Sequence, residues 1–290
     1  MPSPVNRIDP LQVDGGLRSR LGFWLRNDAA HLLWPARCLA CGDTGGDGID
    51  LCAACAATLP WNASACVRCA TPLPGLLTGG LLTGGLLTGG LLTGEPLPGG
   101  HASGDLRGAA QVCGACLPRV AGPLRHAPLA EIHAACVYAA PIDRLLLRFK
   151  FHHDLAAGGL LAQLMAQALA AAPRPDAVLA VPLHRARLRQ RGYDQALELA
   201  RPLARALGLP LLDGALRRVR ATAAQSQLDA AQRRRNLRQA FAVPAGVVLP
   251  AHVALIDDVM TTGATLHAAA LTLRRAGVQR VDAWVCARVS

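Results

Sequence analysis

The stretch Val253-Ala254-Leu255-Ile256-Asp257-Asp258-Val259-Met260-Thr261-Thr262-Gly263-Ala264-Thr265-Leu266 decides how the chain is read. Four apolar residues suit a strand buried on both faces, so a strand is predicted over 253–256. Two carboxylates then emerge at its carboxyl end. The Thr-Thr-Gly-Ala-Thr turn runs directly into a helix predicted over 264–276, which Gly277 stops. The first N–H groups of a helix lack intrahelical partners. With the hydroxyls of Thr261, Thr262 and Thr265 they form a concavity suited to a phosphate monoester, and Ala264 offers its N–H there. Gly263 is expected to leave room for close approach by lacking a Cβ. A helix terminus alone contributes only about 0.3–1 kcal/mol at an exposed site, so hydroxyl and N–H bonds must supply most of the grip. Asp257 and Asp258 would repel a phosphate beside them, but they suit sugar hydroxyls or the charge of a bound Mg2+. A ribose 5-phosphate bearing a second phosphate group satisfies both halves of the motif.

Around this motif short apolar runs alternate with helical stretches. Strands are predicted at 134–139, 177–182 and 280–287, and helices at 142–149, 157–171, 194–207 and 231–238. Such alternation predicts an α/β fold, a mostly parallel sheet flanked by helices, with ligands at the carboxyl ends of the strands. This domain is read over 121–290. Cys136 and Cys286 fall inside predicted strands and are expected to be buried hydrophobes. The uncharged stretch 155–172 is interrupted by Gly158, Gly159, Gln163 and Gln167, which makes it an amphipathic core helix and not a membrane span.

The front half is governed by cysteine. Eight of the ten cysteines form C-x-x-C pairs: Cys38/Cys41, Cys52/Cys55, Cys66/Cys69 and Cys113/Cys116. A two-residue gap lets both thiolates face one ion, and two such knuckles complete a tetrahedral zinc site of four thiolates. One or two structural zinc ions are therefore expected over 35–120, after an N-terminal extension (1–34) with a short helix. Sequential pairing makes two compact loops once four copies of GLLTG at 75–94 are set aside as a surface insert, although interleaved pairing is also compatible with the spacing. Few large apolar residues lie in this lobe, so metal binding must supply most of its folding energy, on the order of 10 kcal/mol or more per site.

The chain has 290 residues, a formal charge of +11 and 3% aromatic residues. It is too apolar for disorder and too poor in aromatics for an obvious base-stacking surface. The charge favours an anionic partner. Among its 30 basic residues only Lys150 is a lysine, which suggests a need for a compact ammonium there. Four Arg lie within Arg185–Arg191, and seven more lie between positions 217 and 238. Most of these suit a solvated face; Arg191 and Lys150 are the preferred anion contacts. The N-terminus MPSPVNRIDP lacks the apolar core of a secretory leader, so a cytoplasmic location with reduced, metal-serving cysteines is expected.

Residues 255–265 resemble the phosphoribosyl-pyrophosphate (PRPP) motif of type I phosphoribosyltransferases. Together with the cysteine pairs, the chain resembles the ComF (competence protein F) family, which joins a double zinc ribbon to a phosphoribosyltransferase domain. Phe149-Lys150-Phe151 with Asp154 is similar to the family's lysine segment. Val181-Pro182-Leu183-His184, continuing to Arg191-Gly192-Tyr193-Asp194-Gln195, is similar to its Pro-Leu…Arg-Gly-Phe-Asn-Gln stretch, with Asp194 where Asn is usual. Arg220 to Gln225, with Arg235, Asn236 and Phe241, resembles its flexible segment.

The resemblance implies binding of Mg2+–PRPP and pentosyl transfer to an unknown acceptor, with a role in DNA uptake. It implies that Asp257 and Asp258 hold the ribose hydroxyls and that residues 261–265 anchor the 5-phosphate. The alternative is a non-catalytic accessory that binds single-stranded DNA or docks DNA-uptake or helicase proteins.

Overall fold

The computed structural model describes residues 37–46, 49–73, 111–117, 127–220 and 240–289. They belong to two compact units, Met1–Ala57 and Thr58–Ser290. The expected N-terminal helix, the GLLTG insert and the helix predicted at 231–238 lie outside the described residues.

In the first unit Gly42 N–H donates to the Cys38 carbonyl at 2.8 Å, which closes a knuckle, and Gly42 adopts φ +87° to do so. A short helix, α1 (Ala53–Ala57), follows. Among the described residues of this unit only Cys38 and Leu51 are buried. Among the described residues this is little apolar surface, which suits a lobe held together by a metal.

The second unit is built on four parallel strands: β1 (Ile132–Val137), β2 (Ala177–Ala180), β5 (His252–Met260) and β6 (Arg280–Arg288). Their order is β1-β6-β5-β2. The crossovers carry α2 (Ile142–Phe151), α3 (Leu155–Leu169), α4 (Arg185–Arg191), α5 (Gln195–Leu207) and α6 (Ala264–Arg275). Two residues each of β3 (Arg217–Arg218) and β4 (Phe241–Ala242) pair as an antiparallel ribbon. This is the α/β class read from the sequence. The central strands β5 and β6 bury Val253 to Ile256 and Val281 to Ala287 on both faces. Cys136 and Cys286 are 0% and 1% exposed, and burial pushes both thiols up, Cys136 to about 12. At Gly158 a Cβ would lie 2.5 Å from the Phe149 ring, so glycine there lets α3 close over α2. No helix among the described residues is long and apolar enough to cross a membrane.

Besides α1, β3 and β4, which the sequence did not predict, and β1, which starts at Ile132, two elements at the site differ from the sequence expectation. β5 does not stop at Ile256 but continues through both acids to Met260, because β6 runs alongside and supplies backbone partners as far as Arg288. α4 was not expected as a helix. It buries none of its side chains and is defined by its ends: His184 Nδ1 accepts from Ala186 N–H, and Gly192 closes it at φ +79°.

The chain from Thr58 to Leu73 lies along the free edge of β1. Asn62 N–H donates to Ala135 at 3.0 Å, Val137 N–H to Pro60 at 2.8 Å and Ile132 N–H to Val67 at 2.8 Å. The knuckle of Cys66 and Cys69 is thereby joined to the sheet by main-chain bonds, and the edge strand is covered.

Candidate functional site

Strand β5 delivers Asp257 and Asp258 to the carboxyl end of the sheet, where both line a cavity of about 180 Å3. Lys150, in the last turn of α2, reaches Asp258 with Nζ 3.0 Å from Oδ2. The chain's only lysine is thus paired with one acid of the motif. Asp257 Oδ1 accepts from Asp258 N–H at 2.9 Å. Its carboxyl is held well above the usual range, first by burial and then by the Asp258 charge, with Lys150 pulling the other way.

The cavity also takes Arg191, Arg187 and Arg218, so four cations face three acids, the third being Asp194. Asp194 does structural work. Oδ1 caps α5 by accepting from Leu197 N–H at 3.3 Å, while Oδ2 holds Leu183 N–H at 2.9 Å. The Asp that departs from the family's Asn therefore keeps a cap's acceptor function, although burial raises its carboxyl as well. His184 likewise caps α4, which gives it a structural role.

Arg191 donates through Nη1 to Gln195 Oε1 at 3.0 Å and lies over the Phe151 ring at 5.6 Å. Gln195 is 2% exposed, and its Nε2 is buried without a hydrogen-bond partner. Because Arg191 is donor-only, the amide cannot flip, and Nε2 is the donor turned toward the buried Tyr193 hydroxyl. Gln195 stands in a quoted motif, but nothing in its sequence setting assigns it this role.

A smaller cavity of about 50 Å3 adjoins through Asp257 and Thr265, and is lined by Thr261, Thr262, Gly263 and Ala264. Thr262 Oγ1 accepts from Ala264 N–H at 3.4 Å at the start of α6. The structure gives Gly263 a further reason beside the expected one. It sits at φ +73°, and a Cβ there would meet Met260 Sδ at 3.2 Å. The glycine thus also serves the backbone turn and its packing on Met260. Every residue read from the sequence as sugar- or phosphate-facing falls on these two adjoining cavities.

The eight cysteines form two groups, Cys38/Cys41/Cys52/Cys55 and Cys66/Cys69/Cys113/Cys116, with all Sγ atoms of a group within 4.8 Å of one another. Tetrahedral zinc at ~2.3 Å from each sulfur requires sulfurs about 3.8 Å apart. Cys41 and Cys52 Sγ are 3.7 Å apart, as are those of Cys69 and Cys113. Both donor sets fit zinc, and the pairing is sequential.

A double ribbon of cysteine tetrads ahead of a parallel α/β domain with an acid pair and a Thr/Gly turn defines the class. Residues 29–84 match the double zinc ribbon domain family. The chain is 36% identical over 197 residues to Competence protein F of Haemophilus influenzae, covering 65% of this chain and 83% of that one. It is 34% identical to the DNA utilization protein YhgH of Salmonella typhi, over 66% of this chain and 81% of the relative. The same protein of Escherichia coli K12 matches at 34%, over 61% and 77%. A solved structure described as the allosteric regulatory enzyme of purine biosynthesis is similar over 44% of this chain at 25% identity and a TM-score of 0.32; the match spans 25% of that enzyme's chain. The chain belongs to the competence protein F family.

Proposed function

We propose that the protein binds Mg2+–PRPP at residues 257–265 and transfers ribose 5-phosphate to an acceptor, as a phosphoribosyltransferase of the competence protein F type serving DNA uptake in the cytoplasm. The observation that carries this reading is the adjacency of two cavities. One has the acid pair with Lys150 and Arg191, and the other is a phosphate-sized hollow made by 261–265. In this reading the hydroxyls of Thr261, Thr262 and Thr265 and the first N–H groups of α6 hold the 5-phosphate. Asp257 and Asp258 accept from the ribose hydroxyls and steady positive charge at C1 as its bond to pyrophosphate breaks and the bond to the acceptor forms. Lys150 and Arg191 take the negative charge of the departing pyrophosphate.

Mg2+ suits this donor set, because Asp257 is held above its ordinary range by burial and by the neighbouring Asp258 charge, and a cation would relieve that repulsion. Carried by the pyrophosphate, the ion would neutralise the leaving group. The role in DNA uptake follows from the names of the relatives, Competence protein F and DNA utilization protein.

A second reading, a non-catalytic accessory binding single-stranded DNA, is favoured by α4, whose Arg185, Arg187 and Arg189 are exposed and whose Arg187 and Arg191 line a cavity with the 59% exposed Phe151. One experiment separates the two. Asp257→Asn with Asp258→Asn is expected to abolish PRPP binding in isothermal titration while leaving the chain folded. Wild-type affinity in the double variant refutes the assignment. DNA binding that persists in the variant and weakens with salt favours the second reading.

A further inference from the structure

Met260 ends β5 immediately before the turn, and its carbonyl accepts two donors. Val289 N–H reaches it at 3.0 Å and Arg288 Nη1, which also donates to the Val289 carbonyl, at 3.4 Å. The same guanidinium donates through Nε to the Cys69 carbonyl at 2.9 Å. Cys69 belongs to the second cysteine tetrad. Its neighbour Ala70 is fully buried at φ +52°, with its N–H on the Cys66 carbonyl at 2.7 Å and its own carbonyl on Asn62 Nδ2 at 2.9 Å. One planar side chain therefore spans the distance from a metal knuckle to the residue on which the turn rests. On the far side, Met260 is 3% exposed and its Sδ lies 3.2 Å from where a Cβ on Gly263 would be. Met260 is thus packed against the turn, and a displacement of its buried side chain is felt there. A guanidinium bonded along two edges cannot follow one carbonyl without losing the other, whereas a lysine ammonium could serve either alone.

We infer that Arg288 is a positioning residue that couples occupancy of the Cys66/Cys69/Cys113/Cys116 site to the geometry of the 261–265 turn, so that metal in the second tetrad sets how firmly the turn holds a phosphate monoester. The nature of the ligand rests on the function proposed above; the coupling itself does not.

The test uses the full-length zinc-loaded chain as wild type, Arg288→Lys and Arg288→Met. Amide hydrogen exchange is followed at 261–265, with β2 and α3 as internal references, alongside zinc content and PRPP titration. Arg288→Lys, the milder change, keeps its zinc and its reference amides, while exchange at 261–265 rises about tenfold and PRPP affinity falls about tenfold. Stripping zinc with a chelator speeds exchange at the turn in the wild type but adds nothing further there in Arg288→Met. Unchanged exchange at 261–265 in Arg288→Lys, or an equal response to stripping in wild type and Arg288→Met, overturns the inference. If the turn responds as described while no version binds PRPP, the ligand assignment fails and the coupling stands.

Discussion

Replacing Lys150 by Met keeps most of the side-chain stem in the last turn of α2 but takes the ammonium from Asp258. Nζ and Oδ2 are 3.0 Å apart, and the two side chains are 19% and 13% exposed, so water screens the pair only partly. At an effective dielectric of about 20, unit charges at that separation attract by about 5–6 kcal/mol. Much of this offsets the desolvation of both groups. The measurable quantity is the cost of stranding Asp258, reduced once it regains some water or takes up a proton, about 2–4 kcal/mol. Urea unfolding of the zinc-loaded chain near neutral pH should show that loss in Lys150→Met. Lys150→Met with Asp258→Asn should recover most of it, because the orphaned charge is gone. PRPP binding is lost in both, since each removes a proposed ligand contact. A single variant within ~0.5 kcal/mol of wild type, or a double variant no more stable than the single, would refute the reasoning that this pair is tight and mutually dependent.

Asp257 titrates above its unfolded value, so the folded chain retains a proton that the unfolded chain gives up; the stability this adds is present at low pH and lost as pH rises toward the folded value. Asp257→Asn should therefore gain in melting temperature over wild type as pH rises from about 5 to about 8, and parallel curves for the two proteins would contradict this. PRPP, whose hydroxyls and cation favour the ionised carboxylate, should bind more tightly across the same rise, which titration at several pH values would show. Gly263→Ala forces a residue with a Cβ to φ +73° and 3.2 Å from Met260 Sδ. It should cost about 1–2 kcal/mol in urea unfolding and weaken PRPP binding; an unchanged midpoint would mean the turn relaxes freely. Because the two tetrads share no cysteine, native mass spectrometry should find two zinc ions per chain. Cys52→Ser should lose one and keep the other, and loss of both would point to a shared cluster.

What the sequence made legible follows from what periodicity encodes. Val253 to Ile256 are buried on both faces, and an apolar run reports that directly. The further extent of β5 through Asp257 and Asp258 was not readable, because those residues are held by backbone pairing with β6, to which side-chain chemistry is blind. α4 escaped notice for a related reason: seven residues that bury nothing leave no apolar stripe, and only the caps at His184 and Gly192 mark it. The importance of Lys150 was legible from its rarity, but that its partner is Asp258 depends on a tertiary approach of α2 to β5. Gln195 stands in a motif that does not announce its role, and Arg288 carries no pattern at all. Each matters because of one backbone or side-chain atom brought near by the fold, in the case of Arg288 from Cys69, 219 residues away.

The boundary between the two compact units falls between the two tetrads. What a family description names as one double ribbon is thus, energetically, two anchors of unequal standing. The ion of the first would be the keystone of a body whose described residues bury only Cys38 and Leu51. The ion of the second would be a rivet in a body that already possesses a sheet and a core. Under falling zinc supply the chain should come apart in stages, losing the fold around the first tetrad while the parallel sheet of the second unit persists.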